Sequence, residues 1–141
     1  MFNVKILVCE NNHMVFQAIK GALQNESYNL HWAVDGRQAL EIMKREPFDL
    51  LLTEILLPFC SGLELIHILR SKLLATLPIL VLSMINSTNT VDLACQLGAT
   101  EYMPKPFAPE KLKSRIADLL LKEKISLLTT NNMDHNYNLQ Y

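Results

Sequence analysis

A chain of 141 residues supports one globular domain with a full core and is too short for that domain plus a second of similar size. Half of its residues are hydrophobic and 19% are charged, which excludes the disordered class; a formal net charge of −1 offers no basic footprint for nucleic acid or an anionic membrane. Cys9, Cys60 and Cys95 form an odd set without CxxC spacing, which argues against a disulfide framework or a zinc site and suits a reducing compartment.

The N-terminal MFNVKILVCENNH reaches polar residues too early for a signal peptide. Val4 to Cys9 reads as a buried strand closed by Glu10, Asn11 and Asn12. Met14, Val15, Ala18, Ile19, Ala22 and Leu23 then recur at helical spacing, with Asn11 or Asn12 available as the cap. Tyr28 to Val34 is the second expected strand. Asp35 can cap a second helix whose Ala39, Leu40 and Met43 face inward and which Pro47 ends. Leu50, Leu51 and Leu52 show no alternation, the pattern of a strand buried on both faces of a parallel sheet. That apolar stretch, Leu50 to Phe59, is interrupted by Thr53 and Glu54 and is too short to cross a bilayer, so a cytoplasmic location with no membrane partner is expected.

After Pro58 and Gly62, a third helical stripe follows in Leu65, Ile66, Leu69 and Leu73. Pro78 opens a fourth strand, Ile79 to Leu82, ending at Ser83. Ser87 or Thr88 can cap a helix through Val91, Ala94 and Cys95 that Gly98 terminates, and Glu101 to Met103 is a short fifth strand. Pro109 begins a last helix with Leu112, Ile116, Leu119 and Leu120 on one side. The alternation predicts an α/β fold, a doubly wound five-stranded parallel sheet with five helices, over residues 1–124. Residues 125–141 turn to Asn, Thr and isolated aromatics and are expected to form a polar, disordered tail.

In such sheets function gathers at the carboxyl ends of the strands. There the reading places Glu10, Asn11, Glu54, Ser83 and Lys105: two carboxylates, an amide, a hydroxyl and an ammonium from separate segments. At these positions the chain, from residue 4 to about 122, resembles the receiver domains of bacterial response regulators, which have a flavodoxin-like fold. The resemblance is carried by KILVCEN, FDLLLTEILLPFCSG, PILVLS and GATEYMPKPF, with Pro58 and Gly62 four and eight residues beyond the acceptor position. A flavodoxin would instead need a hydroxyl- and glycine-rich phosphate loop where CENNH stands.

The resemblance implies roles. In the family two acids after the first strand help hold magnesium, and an aspartate ending the third strand accepts a phosphoryl group. The hydroxyl and the lysine then bind phosphoryl oxygens. Here Glu54 stands at the phosphoacceptor position, Glu10 and Asn11 at the acidic pair, and Met84 where family members usually carry a small residue. The extra methylene of Glu54 displaces its reactive oxygen by about 1 Å, enough to reduce an in-line transfer roughly a hundredfold. Loss of one acid weakens the site for a hard cation. Ser83, Tyr102, Lys105 and Pro106 keep the switch and pocket positions, and the resemblance implies a cis peptide before Pro106. Lys105 is expected to pair with Glu54, and Tyr102 reads equally as a mobile switch ring or a fixed surface residue.

An atypical receiver, a pseudo-receiver in two-component phosphorelay signalling, is therefore expected, acting by protein–protein interaction with no catalytic residue, no enzymatic activity and no cofactor. Magnesium belongs only to the alternative, a phosphoaccepting receiver with residual magnesium-dependent autophosphorylation and autodephosphorylation. The expected partner is a signalling protein in trans, a histidine kinase or a downstream effector, and not nucleic acid. Ile125, Leu127 and Leu128 suit an extended surface or a homodimer, with a locally packed helix end as the milder reading.

Overall fold

The structure, a computed structural model, describes residues 3–137. The apolar runs form β1 (Val4–Cys9), β2 (Tyr28–Ala33), β3 (Leu50–Thr53), β4 (Ile79–Ser83) and β5 (Glu101–Pro104). They alternate with α1 (His13–Ala22), α2 (Gly36–Arg45), α3 (Gly62–Ser71), α4 (Thr88–Leu97) and α5 (Pro109–Tyr137). Every pairing is parallel and the strand order is β2-β1-β3-β4-β5. This is the doubly wound, flavodoxin-like arrangement, and it opens a crevice where the strand order reverses, between the carboxyl ends of β1 and β3.

The two-residue period of a strand explains why β1, β3 and β4 lack an apolar–polar alternation. Leu7, Cys9, Leu51, Ile79 and Val81 face one side and pack with Leu65, Ile66 and Leu69 of α3 and Ala94 of α4. Ile6, Val8, Leu50, Leu52, Leu80 and Leu82 face the other and pack with Phe16 and Ile19 of α1 and Leu112, Ile116 and Leu119 of α5. Each fully buried Leu or Ile contributes about 1.5–3 kcal/mol of hydrophobic free energy, so the central strands are the most strongly fixed part of the fold.

Local chemistry sets the helix ends. Asn12, and not Asn11, caps α1 by accepting from the Met14 N–H; Asp35, Ser61 and Ser87 cap α2, α3 and α4 in the same manner. Gly98 ends α4 at φ 122, a backbone state that favours glycine.

Three expectations need correction. Leu73 does not extend the α3 stripe, because the helix ends at Ser71 and the chain turns at Leu74, φ 52, where Arg70 donates to the carbonyls of Ala75 and Leu77. Val34 lies past β2 and is exposed. The disordered tail expected over 125–141 is instead helical to Tyr137, as a continuation of α5, while 138–141 lie outside the described residues. The polar composition concealed a helix whose own backbone hydrogen bonds tolerate exposed Asn and Thr at modest cost.

Candidate functional site

The crevice is built by strand ends whose register is fixed by the core. Cys9 aligns with Thr53 and Ser83 with Pro104, so the residues that follow β1 and β3 and those that bracket the β4 and β5 ends converge. Glu10 and Glu54 are 3% and 6% exposed and Ser83 is fully buried, a depth at which a carboxylate requires partners.

Lys105 supplies them. Its Nζ donates to Glu10 Oε2 at 2.7 Å and to Glu54 Oε2 at 2.7 Å, so one ammonium bridges both buried carboxylates. The remaining oxygens are also engaged. Glu54 Oε1 accepts the backbone N–H of Ile55 at 2.6 Å and of Leu56 at 3.2 Å, while Glu10 Oε1 accepts that of Asn12 at 3.1 Å. Each of the four carboxylate oxygens therefore has a donor.

The electrostatics follow. Burial pushes the Glu54 carboxyl upward, but hydrogen bonds from Lys105, Ser83 and the Ile55 N–H, with the Lys105 charge, outweigh it and hold the group below its ordinary value. Burial likewise acts against the Lys105 ammonium, yet its bonds to Glu10 and Glu54 and their charges hold it above its ordinary value. Both groups stay ionised at neutral pH, and two carboxylates against one ammonium leave the cluster net negative.

The other expected residues surround this cluster. Ser83 Oγ accepts the Ile85 N–H at 3.1 Å, and the Tyr102 hydroxyl donates to the Ile85 carbonyl, so both hold the start of the β4–α4 loop. Tyr102 is half-buried and packs on the core face of α3 and α4, more than a surface residue would. Burial raises its phenol, reinforced by the Glu54 charge and opposed by Ser83. The Lys105–Pro106 peptide is cis. Asn11 is exposed. Met84 is 75% exposed; with Met14, Val15, Ala18, Pro106 and Phe107 it lines a groove leading to Lys105, and so stands at the rim of the pocket and does not fill it.

Trp32 and Gly62 also shape the site, the first through a contact without a sequence signal and the second at a position that the spacing from Glu54 already marks. The Trp32 indole donates to the Glu10 carbonyl at 2.7 Å while its ring stacks on Phe16, bracing the end of β1. Nothing in the sequence placed Trp32 beside Glu10, because that contact depends on the β1–β2 register. Gly62 lies so near the third strand's end that a Cβ there would fall 2.2 Å from the Glu54 carbonyl oxygen; the spacing of Gly62 from Glu54 was the only sign of it.

A sequence model of the response regulator receiver domain matches residues 6–117. The chain is 36% identical over 121 residues to the response regulator MprA of Mycobacterium leprae (strain TN), covering 86% of this chain and 53% of that protein. It is 32% identical over 124 residues to the alkaline phosphatase synthesis transcriptional regulatory protein PhoP of Bacillus subtilis (strain 168), covering 88% and 51%. The chain thus spans about half the length of these curated relatives. The receiver domain of the Francisella response regulator 1452 superposes with a TM-score of 0.80 at 27% identity, covering 86% of this chain and 99% of that one. A CheY-like receiver domain protein from Methanospirillum hungatei JF-1 gives 0.83 at 24%, covering 89% and 99%, a likeness of fold alone. Among the described residues no helix is long and apolar enough to cross a membrane.

Proposed function

We propose that this chain, which belongs to the response regulator receiver domain family, is a receiver that works without phosphorylation, as a protein–protein interaction module in two-component signalling. One observation carries the reading: the Lys105 ammonium is held between Glu10 and Glu54, 2.7 Å from each, where a receiver gathers its metal and phosphoryl group.

The residues present do not fit magnesium. That ion demands near-ideal octahedral oxygen geometry at about 2.0–2.1 Å. Among the described residues only Glu10 and Glu54 offer buried carboxylates in the crevice, their four oxygens already accept hydrogen bonds, and Asn11 lies exposed. Phosphoryl transfer depends chiefly on positioning and on neutralising charge. A phosphoryl anion approaching this net-negative cluster has one ammonium to meet it, and that ammonium is already shared.

Glu54 instead draws Lys105 inward permanently, while Ser83 and Tyr102 hold the β4–α4 loop through Ile85. The chain therefore presents one fixed surface state to its partner, a histidine kinase or an effector protein, and contacts neither nucleic acid nor membrane. A carboxylate carries less charge and fewer acceptor oxygens than a phosphoryl group, so the state is set by the ion cluster and is not a full imitation of phosphorylation.

The test is incorporation of label from radiolabelled acetyl phosphate, with and without magnesium. No label on the wild type is expected. A magnesium-dependent, hydroxylamine-labile adduct on Glu54 would establish the phosphoaccepting alternative.

A further inference from the structure

Helix α5 has two apolar faces, and the fold uses only one. Leu112, Ile116 and Leu119 pack on the sheet, and Leu127 continues that face to line the two cavities, about 350 and 520 Å³, at the amino end of the sheet. At 100° per residue, Leu121, Ile125, Leu128 and Asn132 fall on the opposite side. Leu121, Ile125 and Leu128 are 58%, 54% and 57% exposed.

We infer that this outer stripe is a parallel, two-stranded coiled-coil seam that joins the chain to a second copy of itself.

The spacing of four, three and four residues puts Leu121 and Leu128 at d positions and Ile125 and Asn132 at a positions of a heptad. The residue types then select the occupant. A β-branched residue at a with leucine at d favours two parallel strands, and a single asparagine at a fixes register and strand number at some cost in stability.

Charge placement agrees. Lys122 and Lys124 take the flanking e and g positions. Across a parallel, in-register pair, e meets the preceding g and g meets the following e. Lys122 therefore faces Ala117, and Lys124 faces Thr129 of the second copy, so neither lysine meets a like charge, while Asp118, the a position one heptad before Ile125, would meet its own copy and so bounds the seam at Leu121. From Leu121 to Asn132 the helix runs about 16 Å, with every residue exposed except the half-buried Glu123. A helical segment this short is marginal in water without a packed face, and self-pairing supplies one. A seam of twelve residues, under two heptads, falls well below the area of an obligate interface, so the dimer is weak and concentration-dependent.

Sedimentation equilibrium on the full chain, across a roughly hundredfold concentration range in the micromolar region, tests this. A monomer–dimer equilibrium is expected, weakened roughly tenfold or more by Ile125→Glu, which buries an unpaired charge. Asn132→Val should tighten association, because the polar a residue is removed. In a Cys95→Ser background, Ile125→Cys should form a disulfide between copies under mild oxidation. A monomer at all concentrations, a dimer indifferent to Ile125→Glu, or crosslinking only between Leu121→Cys and Leu128→Cys chains, the mark of an antiparallel pair, would each overturn the inference. Surface variants of this kind leave the domain folded, checked by circular dichroism, and label incorporation at the pocket reports separately on Glu54.

Discussion

Among the described residues Lys105 is the one cation that touches Glu10 and Glu54, and its replacement by alanine removes it. Both carboxylates lie 2.7 Å from one nitrogen, so the two bound oxygens are no more than 5.4 Å apart. With both groups ionised, their repulsion at an effective dielectric of about 20 is near 3 kcal/mol, at the lower end of the 3–5 kcal/mol typical of breaking a buried ion pair. Urea unfolding at pH 7 should therefore show Lys105→Ala less stable by about 3 kcal/mol. Its pH dependence is more diagnostic than the size. In the wild type the Glu54 value is lowered on folding, so its stabilisation is present above the ordinary carboxylate value and is lost as pH falls through the folded one. Without Lys105 two of the causes that lower the Glu54 value are gone and only Ser83 and the Ile55 N–H remain against burial, so the value moves upward from that of the wild type. The variant should then lose less stability than the wild type as pH falls, and the deficit should shrink toward acid pH. A variant within about 0.5 kcal/mol of wild type at both pH 5 and pH 7, or one with the wild-type slope, would refute the role given to the cluster.

Three further outcomes follow from the same geometry. Glu54→Asp alone should take up little label from acetyl phosphate, and Glu54→Asp with Asn11→Asp and Met84→Ala should take up more; rapid magnesium-dependent labelling of the single variant would show that only the acceptor substitution separates this chain from other receivers. Gly62→Ala should destabilise the fold by about 2–3 kcal/mol in thermal or urea unfolding, because its Cβ would meet backbone atoms of Glu54 and Ile55; a wild-type midpoint contradicts this. In the folded chain one thiol, Cys95, should react readily with a disulfide reagent at neutral pH, and all three only after denaturation. Burial pushes the Cys9 thiol up to about 12 and raises Cys60 as well, so rapid reaction of a second thiol would count against the packing around the strand ends.

The sheet was legible because burial on both faces erases alternation, and Leu50 to Leu52 announce this without a partner being known. Opposite charges at two strand ends likewise announced the Glu54–Lys105 pair. Glu10 was harder: a carboxylate after β1 reads as a metal ligand or as an ion-pair partner, and only the Lys105 geometry separates the two. The indole of Trp32 was beyond reach, because its bond to the Glu10 carbonyl comes from the neighbouring strand's register. The end of α5 was misread through composition. Asn and Thr have weak helix propensity, and they outweighed the regular spacing of Leu121, Ile125 and Leu128 in a window with no buried face to reveal it.

The central claim is that an internal ion cluster, and not a phosphoryl group, fixes the state of this receiver. Backbone amide NMR of the wild type, recorded alone, with magnesium, and with magnesium plus acetyl phosphate, tests it most directly. The three spectra should superimpose at Glu54, Ile55, Leu56, Ser83, Ile85, Tyr102 and Lys105. Shifts confined to those residues that appear with magnesium and grow with acetyl phosphate would contradict the claim and return the chain to the phosphoaccepting receivers.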